Sequence, residues 1–570
     1  MYAFEVSGET GEPYAHPFLG GLNQPRPQLV DVDADGDLDL FVQEYSNDLF
    51  YFERVGTDRV PEFIWRSDRY QDLEVGEWFR FADMDGDGDL DLLAEEKFSY
   101  LRYYRAEQGP DGLKFVLAAD TLRDASDVPL FSDRQNIPNL TDLDCDGMLD
   151  LFIGRLTGTV TRYEETRRDP TGVPRFRLVT DRFEDIEIVA NFGSLHGANT
   201  LTLADVDQDG DPDLFWGDFF EQGLLIIENT GSCARPVLRG EPIAFPEPEP
   251  VSTSGYNAPT FGDVDRDGDL DLVVGVIGGA FNPNRTTIDN LLYYEQVGTN
   301  SFELRTQRLL TNIDVGSESV PVLVDLDADG DLDLLVANKI DPADLQTSRI
   351  YEFENVGSAA APRMEWRGAW DMRGSYHYYP AFGDLDGDGD LDVVMGTWNN
   401  YLAFYRNDGS AQSLDLVLAD SVMIQLTRGS NATPALGDID GDGDLDLFIG
   451  EASGTINFYR NIGTKQAPLF ELESDEYADI DIGRRSSPTL IDIDHDGDLD
   501  LLIGTDAGPI EVFRNRGTAA IPDFVGEGPL PIDLPPLTVP VFADMDGDGD
   551  LDLLVGNTGG GVMYFKNNAR

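Results

Sequence analysis

Two cysteines in 570 residues, Cys145 and Cys233, exclude a disulfide framework. Cys145 falls inside an acidic loop and Cys233 in a later turn, so the sequence leaves their pairing open. Only four histidines occur, His16, His196, His377 and His495, and they are scattered. No H-E-x-x-H, nucleophile elbow or phosphate-binding glycine loop is present. No run of 18 apolar residues exists, so no helix is expected to span a membrane. Basic residues are few: 40 Lys and Arg stand against 108 Asp and Glu, a formal charge of -68. A surface of that sign repels nucleic acid and anionic lipid, so neither is an expected partner. The opening Met1-Tyr-Ala-Phe-Glu-Val6 lacks the basic and apolar regions of a signal peptide.

Aspartate is in excess, and it is ordered. The pattern D-x-D-x-D-G-x-x-D occurs ten times, starting at Asp31, Asp83, Asp142, Asp205, Asp263, Asp325, Asp384, Asp438, Asp492 and Asp544. Successive starts lie 52 to 63 residues apart. Self-similarity at such a period along a whole chain marks a repeat architecture. The loops hold 49 of the 108 acidic residues, which concentrates the charge where cations can neutralise it.

Calcium takes six to eight hard oxygen ligands at about 2.3–2.6 Å. Asp at positions 1, 3 and 5 places alternate carboxylates around one point, Gly at 6 makes the sharp turn, position 7 offers its carbonyl, and Asp at 9 closes the cage. Loop 1 supplies Asp31, Asp33, Asp35, Asp37 and Asp39, and loop 2 Asp83, Asp85, Asp87, Asp89 and Asp91. Loop 3 supplies Asp142, Asp144, Asp146, Met148 and Asp150, and loop 4 Asp205, Asp207, Asp209, Asp211 and Asp213. Loop 5 supplies Asp263, Asp265, Asp267, Asp269 and Asp271, and loop 6 Asp325, Asp327, Asp329, Asp331 and Asp333. Loop 7 supplies Asp384, Asp386, Asp388, Asp390 and Asp392, and loop 8 Asp438, Asp440, Asp442, Asp444 and Asp446. Loop 9 supplies Asp492, Asp494, Asp496, Asp498 and Asp500, and loop 10 Asp544, Asp546, Asp548, Asp550 and Asp552. Met148 at position 7 is informative, because a carbonyl ligand survives that change and a carboxylate ligand does not. The Asp at position 7 elsewhere is therefore read as charge outside the ligand cage.

An EF-hand carries a bidentate Glu at position 12. Here position 12 is apolar in every loop, as in Val42, Ile449 and Val555, and belongs to a following strand. Four or five carboxylates in one loop repel strongly without a cation, and magnesium tolerates such crowding less well than calcium. About ten calcium ions are expected, one per loop. A site held at ten times its dissociation constant adds about 1.4 kcal/mol. Ten such sites add on the order of 10 kcal/mol, comparable to a typical domain's stability of about 5–15 kcal/mol. The ions are read as structural, and as filled where calcium is about millimolar, outside the cell. An extracellular or cell-surface location is expected, with the signal peptide already removed.

Each repeat reads as four short strands. An entry strand such as Ser487-Pro-Thr-Leu-Ile491 of the ninth repeat precedes the loop, and in the eighth Leu445-Asp-Leu-Phe-Ile-Gly450 follows it, apolar on both faces. Thr455-Ile-Asn-Phe-Tyr459 alternates, the turn Arg460-Asn-Ile-Gly-Thr464 supplies a positive φ at Gly, and Pro468-Leu-Phe-Glu-Leu472 closes the unit. Four antiparallel strands per repeat make a propeller blade, buried only by stacking on its neighbours. The last repeat stops at its third strand, Val562-Met-Tyr-Phe-Lys-Asn567, and Tyr2-Ala-Phe-Glu-Val6 resembles a fourth strand. The fold expected is all-β: one domain, 1–570, a single ring of ten blades closed by the N-terminal strand. A seven-bladed ring with three extra repeats is the alternative. Longer turns at Gly275–Asn290 and Ala337–Ser348 project from one face.

The loop, the preceding Pro434-Ala-Leu-Gly-Asp438 and Pro380-Ala-Phe-Gly-Asp384, and the period resemble the FG-GAP/VCBS repeat family. That family includes the integrin α-subunit propeller and many secreted bacterial proteins, and the resemblance spans essentially the whole chain. It implies calcium in each loop between first and second strands, on the face opposite the usual ligand-binding face.

On that opposite face stand Trp78, Tyr256 and Tyr376-His-Tyr-Tyr379 before first strands. Trp216, Phe219, Phe220 and Trp398-Asn-Asn-Tyr401 stand after second strands. Aromatic rings beside amides and carboxylates are a common way to hold sugars; packing between blades is the competing reading. The function expected is a binding or adhesion module for an extracellular glycan or protein, without catalysis. A polysaccharide lyase or hydrolase is the runner-up, with His377 and Arg373 the one pair available for it. A structural subunit of an extracellular assembly is the third reading.

Overall fold

The computed structural model describes residues 4–45, 47–56, 61–110, 112–133, 136–168, 171–188, 199–282, 284, 286–372, 374–518 and 520–568. Among them strands dominate, with three short 3-10 turns at Tyr70–Asp72, Phe183–Asp185 and Tyr477–Asp479. Among the described residues no helix is long and apolar enough to cross a membrane.

The ten repeats form ten sheets, numbered here in chain order. Sheet 8 shows the plan: Thr433–Gly437, Asp446–Gly450, Ile456–Asn461 and Phe470–Ser474 pair antiparallel in sequence order. Its register sets Pro434 opposite Ile449, Leu447 opposite Tyr459, and Tyr459 opposite Leu472. The second strand is apolar on both faces because both faces are covered: Leu447, Phe448 and Ile449 are wholly buried. Leu447 and Ile449 pack toward sheet 7 with Val394 and Leu402. Phe448 packs toward sheet 9 with Leu501 and Ile503. Each sheet is thus stabilised by its neighbours rather than alone.

The chain divides into two compact units of five sheets each, residues 22–310 and residues 1–21 with 311–570. Within the first, the entry strand of sheet 5, Asn257–Gly262, packs on that of sheet 1, Arg26–Val30. Within the second, the entry strand of sheet 10, Val539–Ala543, packs on that of sheet 6, Val320–Val324. Two glycines mark the closures. A Cβ on Gly275 would overlap the Pro25 carbonyl oxygen, and one on Gly556 the Ser319 carbonyl oxygen. The same close approach joins sequential sheets, as at Gly450 against Ser486. The single ring of ten, and the seven-plus-three alternative, are therefore corrected to two closures of five.

The N-terminal strand also differs from expectation. Tyr2 and Ala3 lie outside the described residues, but Glu5–Ser7 pairs parallel with Arg363–Trp370, the outer strand of sheet 6, and not with sheet 10. Apolar contact accounts for this placement. Phe4, Val6 and Phe18 share a cluster with Phe353 and Met364 of sheet 6 and with Leu554 and Val562 of sheet 10. Leu19 bridges the last strand at Met563.

Candidate metal loops and a cavity at the mouth of the first unit

Every Asp loop follows an entry strand, as its sequence implies, and in each the position-1 carboxylate accepts backbone N–H groups of its own loop. In loop 1 the Asp31 carboxylate accepts the Asp35 and Gly36 N–H groups, both at 3.1 Å. Gly36 has φ +91°, a conformation glycine adopts without steric cost. In loop 9 Asp492 does the same for Asp496 and Gly497 at 3.1 and 3.0 Å. Carboxylate oxygens of Asp31, Asp33 and Asp35 converge within 4.8 Å of one another, and so do those of Asp83, Asp85 and Asp91 and equivalent groups in other loops. That is the oxygen donor set a hard divalent cation takes.

Position 9 has a second task. Asp271 is fully buried; its Oδ1 accepts the Gln296 N–H at 2.9 Å and its Oδ2 the Val264 N–H at 3.0 Å. Asp333 and Asp392 tie loop to third strand in the same way, through Asn355 and Asn407. Burial pushes these carboxyls up, to about 7 at Asp39 and Asp213 and about 6 at Asp91, Asp150, Asp271, Asp333 and Asp446. Buried carboxylate oxygens at position 3 of loops 2, 7, 8 and 10, on Asp85, Asp386, Asp440 and Asp546, have no hydrogen-bond partner. The same holds at position 7 for Asp37, Asp211, Asp269, Asp331, Asp390 and Asp550. Oxygens in that condition fit a cation. Basic side chains stand near several cages: Arg162 lies 2.6 Å from Asp144, and Arg460 and Lys566 contact Asp440 and Asp546.

Cys145 and Cys233 are joined, with Cα atoms 5.6 Å apart. The bond ties position 4 of loop 3 to the turn after the third strand of sheet 4. It stands beside the one loop that lacks an acid at position 7.

The opposite face of the first unit holds a cavity of about 620 Å³. Sheet 1 contributes Asn23, Gln24 and Arg26, sheet 2 Glu77 and Trp78, sheet 3 Ile137, and sheet 5 Tyr256. Phe219 enters from the end of the second strand of sheet 4, and Ile277–Asn282 from the longer turn of sheet 5. Trp78 is 1% exposed, and its Nε1–H has no partner. Arg26, itself buried, lies 3.9 Å from Glu77, and its Nη1 donates to the Gln24 carbonyl at 3.1 Å. Glu44 holds the rim by accepting the N–H groups of Asn23 and Gln24 at 2.8 and 2.9 Å. Phe219 meets Tyr256 at 6.3 Å and Phe220 at 5.0 Å, both edge to face. Burial raises the Tyr256 phenol, which stays protonated.

Three of the aromatics singled out from the sequence, Trp78, Tyr256 and Phe219, therefore meet in one place. Trp216 does not; it is buried between sheets 3 and 4 with Phe152 and Leu201. In the second unit Tyr376 and Trp398 form an exposed pair, 5.3 Å between ring centres, while Tyr378 is buried with its hydroxyl on the Met372 carbonyl. His377 joins a charged cluster: Glu318 accepts from Lys339 at 2.7 Å and Arg485 at 2.9 Å and lies 3.3 Å from His377 Nδ1. Arg373 and His196 lie outside the described residues. Sequence reading missed Glu318, Lys339 and Arg485, although Glu318, His377 and Arg485 share one register, two residues before an entry strand and at positive φ. Three residues before the recurring Pro of each entry strand is the signal that finds them.

Residues 384–449, 438–503 and 492–555 each match the FG-GAP-like repeat. Residues 384–555 carry FG-GAP-like repeats. The three matches run from the Asp loop of sheet 7 into the second strand of sheet 10 and take in the Asp loops of sheets 7 to 10. No curated protein matches the chain. Among solved structures, an Agrocybe aegerita lectin, described for specific recognition of non-reducing terminal N-acetylglucosamine, is 14% identical. It covers 72% of this chain and 94% of its own, with a TM-score of 0.25. The V. cholerae biofilm matrix protein Bap1 is 10% identical over 100% of this chain and 91% of its own, with a TM-score of 0.20. Superposition at these scores carries no inference about function.

Proposed function

We propose that this chain is an extracellular, calcium-stabilised binding module whose first unit takes a carbohydrate in the cavity at its mouth. The observation that carries this reading is the cavity's composition. Trp78, Tyr256 and Phe219 offer ring faces for stacking on sugar C–H groups, and Arg26, Glu77, Asn23 and Asn282 offer donors and acceptors for hydroxyls. The unsatisfied Trp78 Nε1–H is a buried donor for which a sugar oxygen is a suitable partner.

Calcium in the Asp loops supplies the positive charge that lets the carboxylates approach one another. Positions 1, 3 and 5 would hold it, with position 9 closing the cage, as Asp91 and Asp271 do beside positions 1 and 3, and anchoring it to the third strand. This acts on the opposite end of each sheet from the cavity, so the ions stabilise the scaffold and take no part in ligand contact. The cavity has no histidine in its lining, and the buried His377 faces Glu318 and two cations in the other unit. Glycoside hydrolysis uses a pair of carboxylates, and Glu77 is the one acid among the described residues lining the cavity, so binding without turnover is the reading proposed. A glycan array with the purified chain in millimolar calcium, run beside soluble polysaccharide turnover, tests the reading. Binding without turnover is expected; turnover would move a lyase or hydrolase to the front, and silence in both would remove the carbohydrate reading.

A further inference from the structure

Loop 3 departs from its nine sisters at position 9. In those nine, Oδ1 of the position-9 Asp accepts an N–H at or just past the third strand at 2.7–2.9 Å, as Asp446 does from Asn461. In loop 3 Glu165 holds the place of Asn461, and its N–H donates to the Leu149 carbonyl at 2.8 Å instead. Arg162 takes the oxygen so released. Its Nε donates to Asp150 Oδ1 at 2.8 Å, and its Nη2 to Asp150 Oδ2 at 2.9 Å and to Asp144 Oδ2 at 2.6 Å. The guanidinium thus forks onto position 9 and bridges it to position 3, with the Arg162 side chain 12% exposed and that of Asp150 1%. A two-pronged arginine–carboxylate pair is among the strongest hydrogen-bonded contacts a protein makes.

No other loop places a base there. On the third strand, the residue at the register of Arg162 is Tyr in loops 1, 2, 5 and 10, where its hydroxyl donates to position 9 at 2.8–3.3 Å. In the remaining five loops it is Ile226, Glu352, Phe404, Phe458 and Val512. Loops 8 and 10 have a base near position 3, but Arg460 and Lys566 touch Oδ2 of Asp440 and Asp546 and leave each Oδ1 buried without a partner. In loop 9 Arg514 reaches Asp500 Oδ2 at 2.8 Å, while Oδ1 stays on the Asn515 N–H at 2.7 Å. Loop 3 differs at two further positions. Met148 replaces the acid of position 7, and Cys145 at position 4 is joined to Cys233. The missing acid and the added guanidinium amount to two charges, the charge of one calcium ion.

We propose that loop 3 is a calcium-independent loop, in which the Arg162 guanidinium supplies the charge that calcium supplies to its sisters. The proposal rests on the calcium reading of the other loops, and it reduces the ten ions expected from the sequence to at most nine. Oxygens of Asp142, Asp144 and Asp146 still converge within 4.8 Å of one another. Three carboxylates and one carbonyl fall short of the six to eight oxygens calcium takes, and a fixed positive group 2.6 Å from Asp144 opposes a second cation. The bond at Cys145 then secures covalently the one loop that takes no ion.

The test counts calcium bound to the full chain by equilibrium dialysis at millimolar ion, in the native protein, Asp146→Ala and Asp442→Ala. Both substitutions remove the position-5 acid, from loop 3 and loop 8 respectively. Asp146→Ala is expected to leave the count unchanged, and Asp442→Ala to lower it by one. Anomalous difference maps from calcium-grown crystals should show a peak in loop 8 and none in loop 3. A peak among Asp142, Asp144 and Asp146, or a count lowered by Asp146→Ala, would overturn the proposal. Unchanged counts in both variants would remove the calcium reading of the loops, and the proposal with it. Met148→Asp combined with Arg162→Tyr, which gives loop 3 the residues of loops 1, 2, 5 and 10, is expected to bind one ion more than the native chain. A folded double variant with no gain would overturn the role given to Arg162.

Discussion

Arg485 Nη1 lies 2.9 Å from Glu318 Oε2, although 167 residues separate them. Glu318 precedes the entry strand of sheet 6 and Arg485 that of sheet 9, so the contact crosses the mouth of the second unit. Burial alone would raise the Glu318 carboxyl, but His377, Lys339 and Arg485 together hold it below its ordinary value. His377 is itself lowered by burial from 6.5 to about 4. It is therefore neutral at pH 7, and the charges that hold Glu318 there are those of Lys339 and Arg485.

A pH dependence follows. Between 6.5 and about 4 the unfolded chain binds a proton at His377 that the folded chain refuses. Stability is therefore lost as pH falls through that window, by on the order of 3 kcal/mol. Glu318 adds a loss of the same sign at lower pH, as its depressed carboxyl takes up a proton. Melting temperatures in saturating calcium, from pH 7.5 to 4.5, are expected to fall less for His377→Gln than for the native chain. Equal slopes would show that His377 is not held neutral by its surroundings.

The loops carry the opposite sign when calcium is absent. With folded values near 6 to 7 against 3.8, buried position-9 carboxyls bind protons in the folded state that the unfolded state releases. The ion-free chain should lose stability as pH rises from about 4 to 7, and calcium should restore it most at neutral pH. Chelated samples melting at a lower temperature at pH 7.5 than at pH 5, with the gap closed by millimolar calcium, are the expected result.

Within one loop, positions should separate into anchor and ligand. Asp446 is 1% exposed and accepts the Asn461 N–H at 2.8 Å, whereas Asp442 is exposed. In chelator, Asp446→Ala is expected to cost about 2–4 kcal/mol, because a buried backbone N–H loses its charged acceptor. Asp442→Ala should cost under about 1 kcal/mol there, and show its effect as one ion fewer by calorimetry.

The Cys145–Cys233 bond spans 88 residues. Cross-links over loops of that size contribute about 2–4 kcal/mol, chiefly by restricting the unfolded chain. Cys233→Ser should lower the unfolding free energy of residues 22–310 by that amount, read as a lower denaturant midpoint at unchanged m, and leave the transition of the other unit in place. Fluorescence from Trp65, Trp78 and Trp216 against Trp366, Trp370 and Trp398, separated by substitution, distinguishes the two.

The blade plan and the Asp loops were legible in the sequence because both are local. Strand alternation, Gly at the turn and the spacing of acids are set within a dozen residues. Ring size was not legible, since it depends on which sheet's Gly meets which carbonyl, and Gly275 against Pro25 looks in sequence like Gly450 against Ser486. The passage between units at Leu310 and Thr311 has no compositional break. Aromatics were legible as candidates only. Trp78 stands just before an entry strand, while Trp216, expected after a second strand, lies inside one, Asp213–Asp218, and packing separates the cavity wall from the core.

The most direct test of the account is calorimetric titration, in millimolar calcium, of a glycan selected on the array against the native chain, Trp78→Ala and Trp398→Ala. Trp78→Ala is expected to weaken binding at least about tenfold, with its melting temperature measured alongside, while Trp398→Ala leaves it unchanged. Loss of binding in Trp398→Ala with Trp78→Ala unaffected would place the ligand on the exposed pair of the second unit and contradict the assignment of the cavity.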